Sequence, residues 1–247
     1  MMIILWLFLA GIAAGFINTL AGGGSVLTLP ILILAGVPSN YANGTNRIAI
    51  MIQNATSTIR FHKYGQLKIK SIRHIAIATI IGSFAGTMLA VNIDSESFDK
   101  ILGFVFILVL LLMIRPHKQL QEKSLPRWLE FLIFLLVGFY GGFIQVGIGL
   151  ILLATLNLVE KFSLIKANAV KVFITFCYTI FSVIIFAISG MIIWKYGLIL
   201  AAGNMLGAFL GVQAAIKIGD TIIKIVLSIA VILACLKLFG VFEMIGL

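Results

Sequence analysis

The 247 residues are 62% hydrophobic and 11% charged, with a mean hydropathy of +1.19; this balance excludes an ordinary soluble domain and describes a polytopic membrane protein. The net charge of +10 comes from Lys and Arg spread over short loops between apolar runs, so it reads as membrane topology and not as a nucleic-acid surface. Cys177 and Cys235 fall inside apolar runs without metal-ligand spacing, as small buried hydrophobes do.

The first 46 residues hold no Lys or Arg, so the N-terminal run lacks the basic start of a signal peptide. At about 20 apolar residues it is expected to remain as a membrane helix, uncleaved. Gly22-Gly23-Gly24-Ser25 interrupts it, and the apolar run 26–37 that follows is little more than half the length needed to span. Unwound backbone survives at membrane depth only where protein or a wet cavity surrounds it, so the break predicts a site. Segments 44–62, 72–92 and 101–115 complete a set of five. A linker, 116–127, with Pro116 and Pro126 near its ends, leads to a second set: 128–146, 149–159, 167–188, 195–216 and 222–240.

The two sets match at one constant offset of 125. Gly22 and Gly24 recur as Gly147 and Gly149, Ala42-Asn43 as Ala167-Asn168, Gly65 as Gly190, and Gly82 with Gly86 as Gly207 with Gly211. The fold expected is an all-α membrane protein, 1–247 as one domain, built from two repeats (1–115 and 128–247), each with a re-entrant or half-helix after its glycine break. Counting Lys and Arg by side favours inverted repeats, with the 63–73 and 115–127 loops cytoplasmic and both termini outside. Inverted repeats meeting at the midplane are a transporter architecture. The small residues Ala78, Gly82 and Gly86, and Gly203, Gly207 and Gly211, predict close helix packing.

The break chemistry points to anions. Gly22, Gly23 and Gly24 expose N–H groups, Ser25 adds a hydroxyl, and Gly147 and Gly149 supply the opposing backbone; a half-helix after each break aims its positive end there. Arg47 and Lys171 follow the same Ala-Asn landmark in the two repeats and can supply charge, the bland alternative being interfacial anchors that snorkel. Asn18, Gln53, Asn54 and Gln145 are candidate neutral contacts. The carboxylates all fall in loops or at segment ends, so no mid-membrane Asp or Glu offers a proton relay or a sodium ligand. His62, His74 and His117 sit beside basic loops as solvated side chains. Enzyme motifs are lacking: there is no GxSxG, HExxH or P-loop, and no catalytic residue, metal site or cofactor is expected.

With Leu29-Pro30, Gly36 and Ala42-Asn43-Gly44-Thr45 after the glycine run, and a degenerate second copy beyond residue 138, the chain resembles the sulfite exporter TauE/SafE family of membrane permeases over essentially its whole length. The resemblance implies transport of sulfite, sulfoacetate or other organosulfonates across the cytoplasmic (inner) membrane, usually outward. The partners expected are a small anionic substrate and the lipid bilayer, with no nucleic acid and with homo-oligomerisation left open. The second copy departs from the pattern: Gly147-Ile148-Gly149 has fewer glycines, no proline follows, and Ala169-Val170 replaces Gly-Thr. Two rivals stay open at this point, a proton-coupled uptake permease working through Lys171 and a non-transporting membrane scaffold.

Overall fold

A computed structural model describes residues 2–20, 22–67, 69–114 and 125–218. These residues form nine α-helices and one short 3-10 turn, and no strands are found among them. The helices are α1 (Met2–Leu20), α2 (Ser25–Leu34), α3 (Ser39–Lys63), α4 (Arg73–Asn92), α5 (Ser95–Ile114), α6 (Arg127–Phe143), α7 (Ile148–Leu158), α8 (Leu164–Ile188) and α9 (Trp194–Ile218). α1, α4, α8 and α9 are long and apolar enough to cross a membrane. The expected segment 222–240, most of the linker, and Cys235 lie outside the described residues.

α2 and α7 have only 10 and 11 residues, about 15–17 Å of rise, half of what a bilayer core demands. Both fold back beside the helix before them. A Cβ placed on Gly24 would collide with Ala14 and Asn18, and one on Gly141 would lie 3.0 Å from Ile148. α3 is longer than the apolar pattern predicts. It starts at Ser39, behind Pro38, which opens the helix because its missing N–H would have no partner there. Arg47 therefore stands more than two turns inside a helix and not at its entrance.

Helix directions follow from which residues touch. On α1, Phe8, Ile12 and Phe16 face Gly203, Gly207 and Gly211 of α9 in the same order, so these helices are parallel; Thr79 and Ser83 of α4 face Gly138 and Gly142 of α6 likewise. The small residues let each backbone rest on the next, as helix packing in lipid favours. Thr45 lies by Gly197 and Arg60 by Phe209, so α3 runs with α9, whereas Gly44 meets Phe186 and the end of α1 meets the start of α8, so α8 runs against both. α1, α3 and α9 thus point one way, and α6, α8 and α4 the other. Helices at equivalent positions in the two halves are antiparallel, and the first helix of each half packs on the fourth helix of the other.

The side reached by the ends of α3 and α9 carries Arg60, Lys63, Lys70, Arg73, Arg127, Lys161, Lys166 and Lys217; the opposite side carries Lys100 and Lys195. Eight against two marks the first side as the cytoplasmic one expected from the positive-inside rule.

Candidate functional site

α1 and α6 both end inside the bundle, where their last carbonyls have no further turn of helix to pair with and need donors from elsewhere in the fold. The opposite half of the chain caps each of them. Arg47 donates from Nη1 to the Gly141 carbonyl at 3.2 Å, and from Nη2 to those of Gly142 at 2.6 Å and Phe143 at 3.4 Å; Asn43 Nδ2 donates to Phe143 at 2.8 Å. Lys171 Nζ donates to the Asn18 carbonyl at 2.8 Å and the Thr19 carbonyl at 3.5 Å, while Asn168 Nδ2 donates to Leu20 at 2.7 Å. A cation at a helix C-terminus meets the negative end of its dipole. Asn168 and Asn43, which serve only as landmarks in the sequence, are therefore helix caps exchanged between the two halves, and Asn168 Oδ1 also accepts from Lys171 at 2.6 Å.

Neither cation is a snorkelling anchor. Arg47 is 0% exposed and Lys171 2%, and among the described residues no Asp or Glu is buried to balance them. A dipole end is worth about half a charge, less than the full charge of a guanidinium or an ammonium. The Phe186 ring, 4.9 Å from the Arg47 guanidinium, adds a cation–π contact.

The two glycine breaks touch. Gly22 (φ +86°) packs on Gly149 so closely that a Cβ on either would collide with the other's backbone. Gly147 is also left-handed (φ +68°), as its counterpart Gly22 is. Ser25 Oγ donates to the Gln145 carbonyl at 3.1 Å and accepts from the Gly147 N–H at 3.2 Å, so this hydroxyl ties the breaks together. Gly23 departs from expectation: a Cβ there would meet only the tip of Leu150 at 3.9 Å, and the close approaches belong to Gly22 and Gly24.

A cavity opens beside this junction, at mid-length of α3 and α8. Asn18, Ser25, Asn54, Gln145, Gly149 and Lys171 line it, joined by Thr175, Ile50 and Ile148. It leaves about 10 Å³ for the centre of a water-sized body, room for about one water, so a larger solute requires the walls to part. Six expected site residues thus share one wall. Arg47, Gln53, Gly22, Gly23, Gly24 and Gly147 do not line it; Gln53 supports the wall by accepting from Asn18 Nδ2 at 2.8 Å. Ile50 and Ile148 carry no polar signal in the sequence. Gln145 holds a left-handed backbone (φ +65°), uncommon for a residue with a side chain. Its Nε2 reaches Thr179 at 3.4 Å, and its buried side chain lies beside the Tyr178 hydroxyl.

Arg47→Ala tests the capping role. It would leave the Gly141 carbonyl without its side-chain donor, Gly142 with Thr87 alone and Phe143 with Asn43 alone, and open a void; with about 1–3 kcal/mol for a buried group left unpaired and the cavity left by a large side chain added, a loss of about 3 kcal/mol in denaturant stability is expected. A loss under about 1 kcal/mol would show that the α6 end needs no cation.

At the cytoplasmic ends of α4, α6 and α7, His74 Nε2 stands 3.8 Å from Glu130 and 3.9 Å from Glu160, and the three groups converge within 4.8 Å. His74 is thus less isolated than its basic neighbourhood suggests. Burial, then the neighbouring Glu130 charge, pushes the Glu160 carboxyl above its ordinary range, against smaller opposing effects of His74 and Lys166. A raised carboxyl pKa means that the folded state binds more protons, so this group costs stability as pH rises through the range between its unfolded and folded values. Glu160→Gln is expected to raise Tm at pH 7 and to lose that gain in acid, where the carboxyl is protonated in both states. For a chain of this size about 1 kcal/mol is about 2–4 °C.

Comparison with known proteins bears on the same region. The family model described as "Sulfite exporter TauE/SafE" matches residues 7–238. The chain belongs to this family. Within the TauE/SafE relatives, a "Probable membrane transporter protein" of Haemophilus influenzae is 34% identical over 223 residues, 88% of this chain and 87% of that one. A Sinorhizobium protein, "Probable membrane transporter protein ORF9", is 28% identical over 95% of this chain and 92% of its own. The Escherichia coli K12 "Probable membrane transporter protein YfcA" is 28% identical over 88% and 82%. No solved structure matches. Membership of TauE/SafE makes this a multi-pass protein of a membrane transporter family, in keeping with its apolar helices.

Proposed function

We propose that the protein is a transporter, not an enzyme, that carries a small sulfur oxyanion (sulfite, or an organosulfonate such as sulfoacetate) outward across the cytoplasmic membrane. The observation that carries this reading is charge: Arg47 and Lys171 are buried around the junction of the two breaks, with no buried carboxylate among the described residues. Isolated buried charge is costly, and a bound anion offsets that cost. The first residues of α2 and α7 add two positive helix ends at the cavity. One donor of Lys171 is held by a bond at the 3.5 Å limit and can turn to a ligand at little cost. Membership of a family described as sulfite exporters supports the choice of substrate class and direction.

An inside-negative potential assists anion exit by about 2.3 kcal/mol per charge per 100 mV, so no proton relay is needed. The test is efflux from sulfite-loaded proteoliposomes under an imposed potential with no pH gradient. Expected is efflux above protein-free vesicles, competed by sulfoacetate and not by acetate. Flux that needs a pH gradient at zero potential would favour the proton-coupled uptake reading. No flux of any sulfur anion would overturn transport of this class and leave the scaffold reading.

A further inference from the structure

One turn and more beyond the cavity, the two halves repeat a pair of side chains that the site does not use. Ser57 and Phe61 of α3 become Ser182 and Phe186 of α8 at the same offset of 125, and all four are buried at 1% exposure or less. Each serine lies six residues before the end of its helix. Because α3 and α8 run in opposite directions, Ser57 and Phe61 lie between the cavity and the cytoplasm, and Ser182 and Phe186 between the cavity and the outside.

Polar groups lead to each serine. On the cytoplasmic side, Asn18 of the cavity wall bonds Gln53, Gln53 reaches Thr19 at 3.4 Å, and Thr19 meets Ser57 at 3.1 Å. On the outer side, Gln145 of the wall reaches Thr179 at 3.4 Å, and one turn on Ser182 meets Thr87 at 2.8 Å and Ser83 at 3.3 Å. Past each serine comes a phenylalanine: Phe61 packed among the apolar core of the cytoplasmic half, Phe186 against Gly44 and the Arg47 guanidinium. Hydroxyls facing one another inside lipid-embedded helices also serve as packing bonds. Inverted duplication alone carries a repeated pair to opposite faces; what neither it nor packing requires is that both tracks begin at the cavity wall, since Asn18 and Gln145 are not equivalent positions of the repeat.

We infer that these are the two half-routes by which the anion enters and leaves the cavity: Thr19–Ser57 toward the cytoplasm with Phe61 as its lid, and Thr87–Ser182 toward the outside with Phe186 as its lid. The inference rests on the transport reading, and the small cavity fits it, since Phe61 and Phe186 are both fully buried. A ring that swings away exposes hydroxyl donors suited to oxyanions, and closure of one lid while the other opens is alternating access around a fixed site.

The test is sided thiol labelling of Ser57→Cys and Ser182→Cys in a chain whose Cys177 and Cys235 are replaced by Ser. The probe is a membrane-impermeant methanethiosulfonate bearing a sulfonate, applied to right-side-out and inverted vesicles. Cysteine at 57 is expected to react at least ten-fold faster from the cytoplasmic face, and cysteine at 182 at least ten-fold faster from the outer face. Phe61→Ala should speed the first several-fold and leave the second unchanged, and Phe186→Ala the reverse. Thr19→Cys and Thr87→Cys repeat the sided measurement on the facing helices, should a serine or lid variant fail to fold. Equal reaction from both faces, reaction of both positions from one face, or no reaction at any of the four positions with or without the lids would overturn the routes. Labelling needs no substrate: sidedness retained without protection by sulfoacetate would keep the routes and reject the sulfonate reading.

Discussion

Lys171→Gln is expected to abolish anion flux while leaving a folded protein. The ammonium is the charge on the cavity wall, and truncating one partner of a desolvated charge pair costs about 2–5 kcal/mol, about 30-fold to several thousand-fold in affinity. The fold pays less, because a glutamine amide still donates to one of the three acceptors that Lys171 serves, Asn18, Thr19 and Asn168, and the uncompensated buried charge is gone. Lys171→Arg keeps the charge and should retain part of the flux. The check is efflux per folded molecule in proteoliposomes, and a Lys171→Gln rate within two-fold of wild type would remove this residue from the site.

Gly22→Ala should destabilise the fold more than any other single methyl group added at the breaks. Its φ of +86° lies where alanine pays about 1–2 kcal/mol, and the new Cβ would strike the Gly149 backbone, which cannot turn aside as a side chain can. Separating the breaks also strains the Ser25 bridge to Gln145 and Gly147. Gly23→Ala is the matched control: its Cβ has only Leu150 within reach, so stability should change by less than about 0.5 kcal/mol. Denaturant melts of the two variants in detergent decide this. Equal stability would mean that the breaks are not in fixed contact.

Much of this arrangement is legible in the sequence because it follows from what lipid forbids. A glycine run inside an apolar stretch, repeated at one offset, marks interrupted helices, and the short runs after the breaks are too short to span. Six wall residues of the cavity were likewise available from chemistry alone: three amides, a hydroxyl, a glycine and a lysine at membrane depth. What the pattern hides is direction of contact. Arg47 and Lys171 look equivalent and each caps a helix end, yet only Lys171 also reaches the cavity, and the two are one residue out of register, since an offset of 125 from Arg47 falls on Val172. The capping of α1 and α6 by the opposite halves was hidden for a similar reason: Asn43 and Asn168 act across about 100 and 148 residues of chain, and only folding brings those ends together. Ile50 and Ile148 join the wall by position alone.

The central claim is that the two breaks and Lys171 form one anion site, and equilibrium binding tests it most directly. Sulfite or sulfoacetate titrated calorimetrically into the purified protein should give a single saturable site in wild type and in Gly23→Ala, weakened at least 30-fold in Lys171→Gln, with sodium acetate giving no heat beyond dilution. Binding of equal strength in wild type and Lys171→Gln, or no binding of any sulfur anion to wild type, would contradict it.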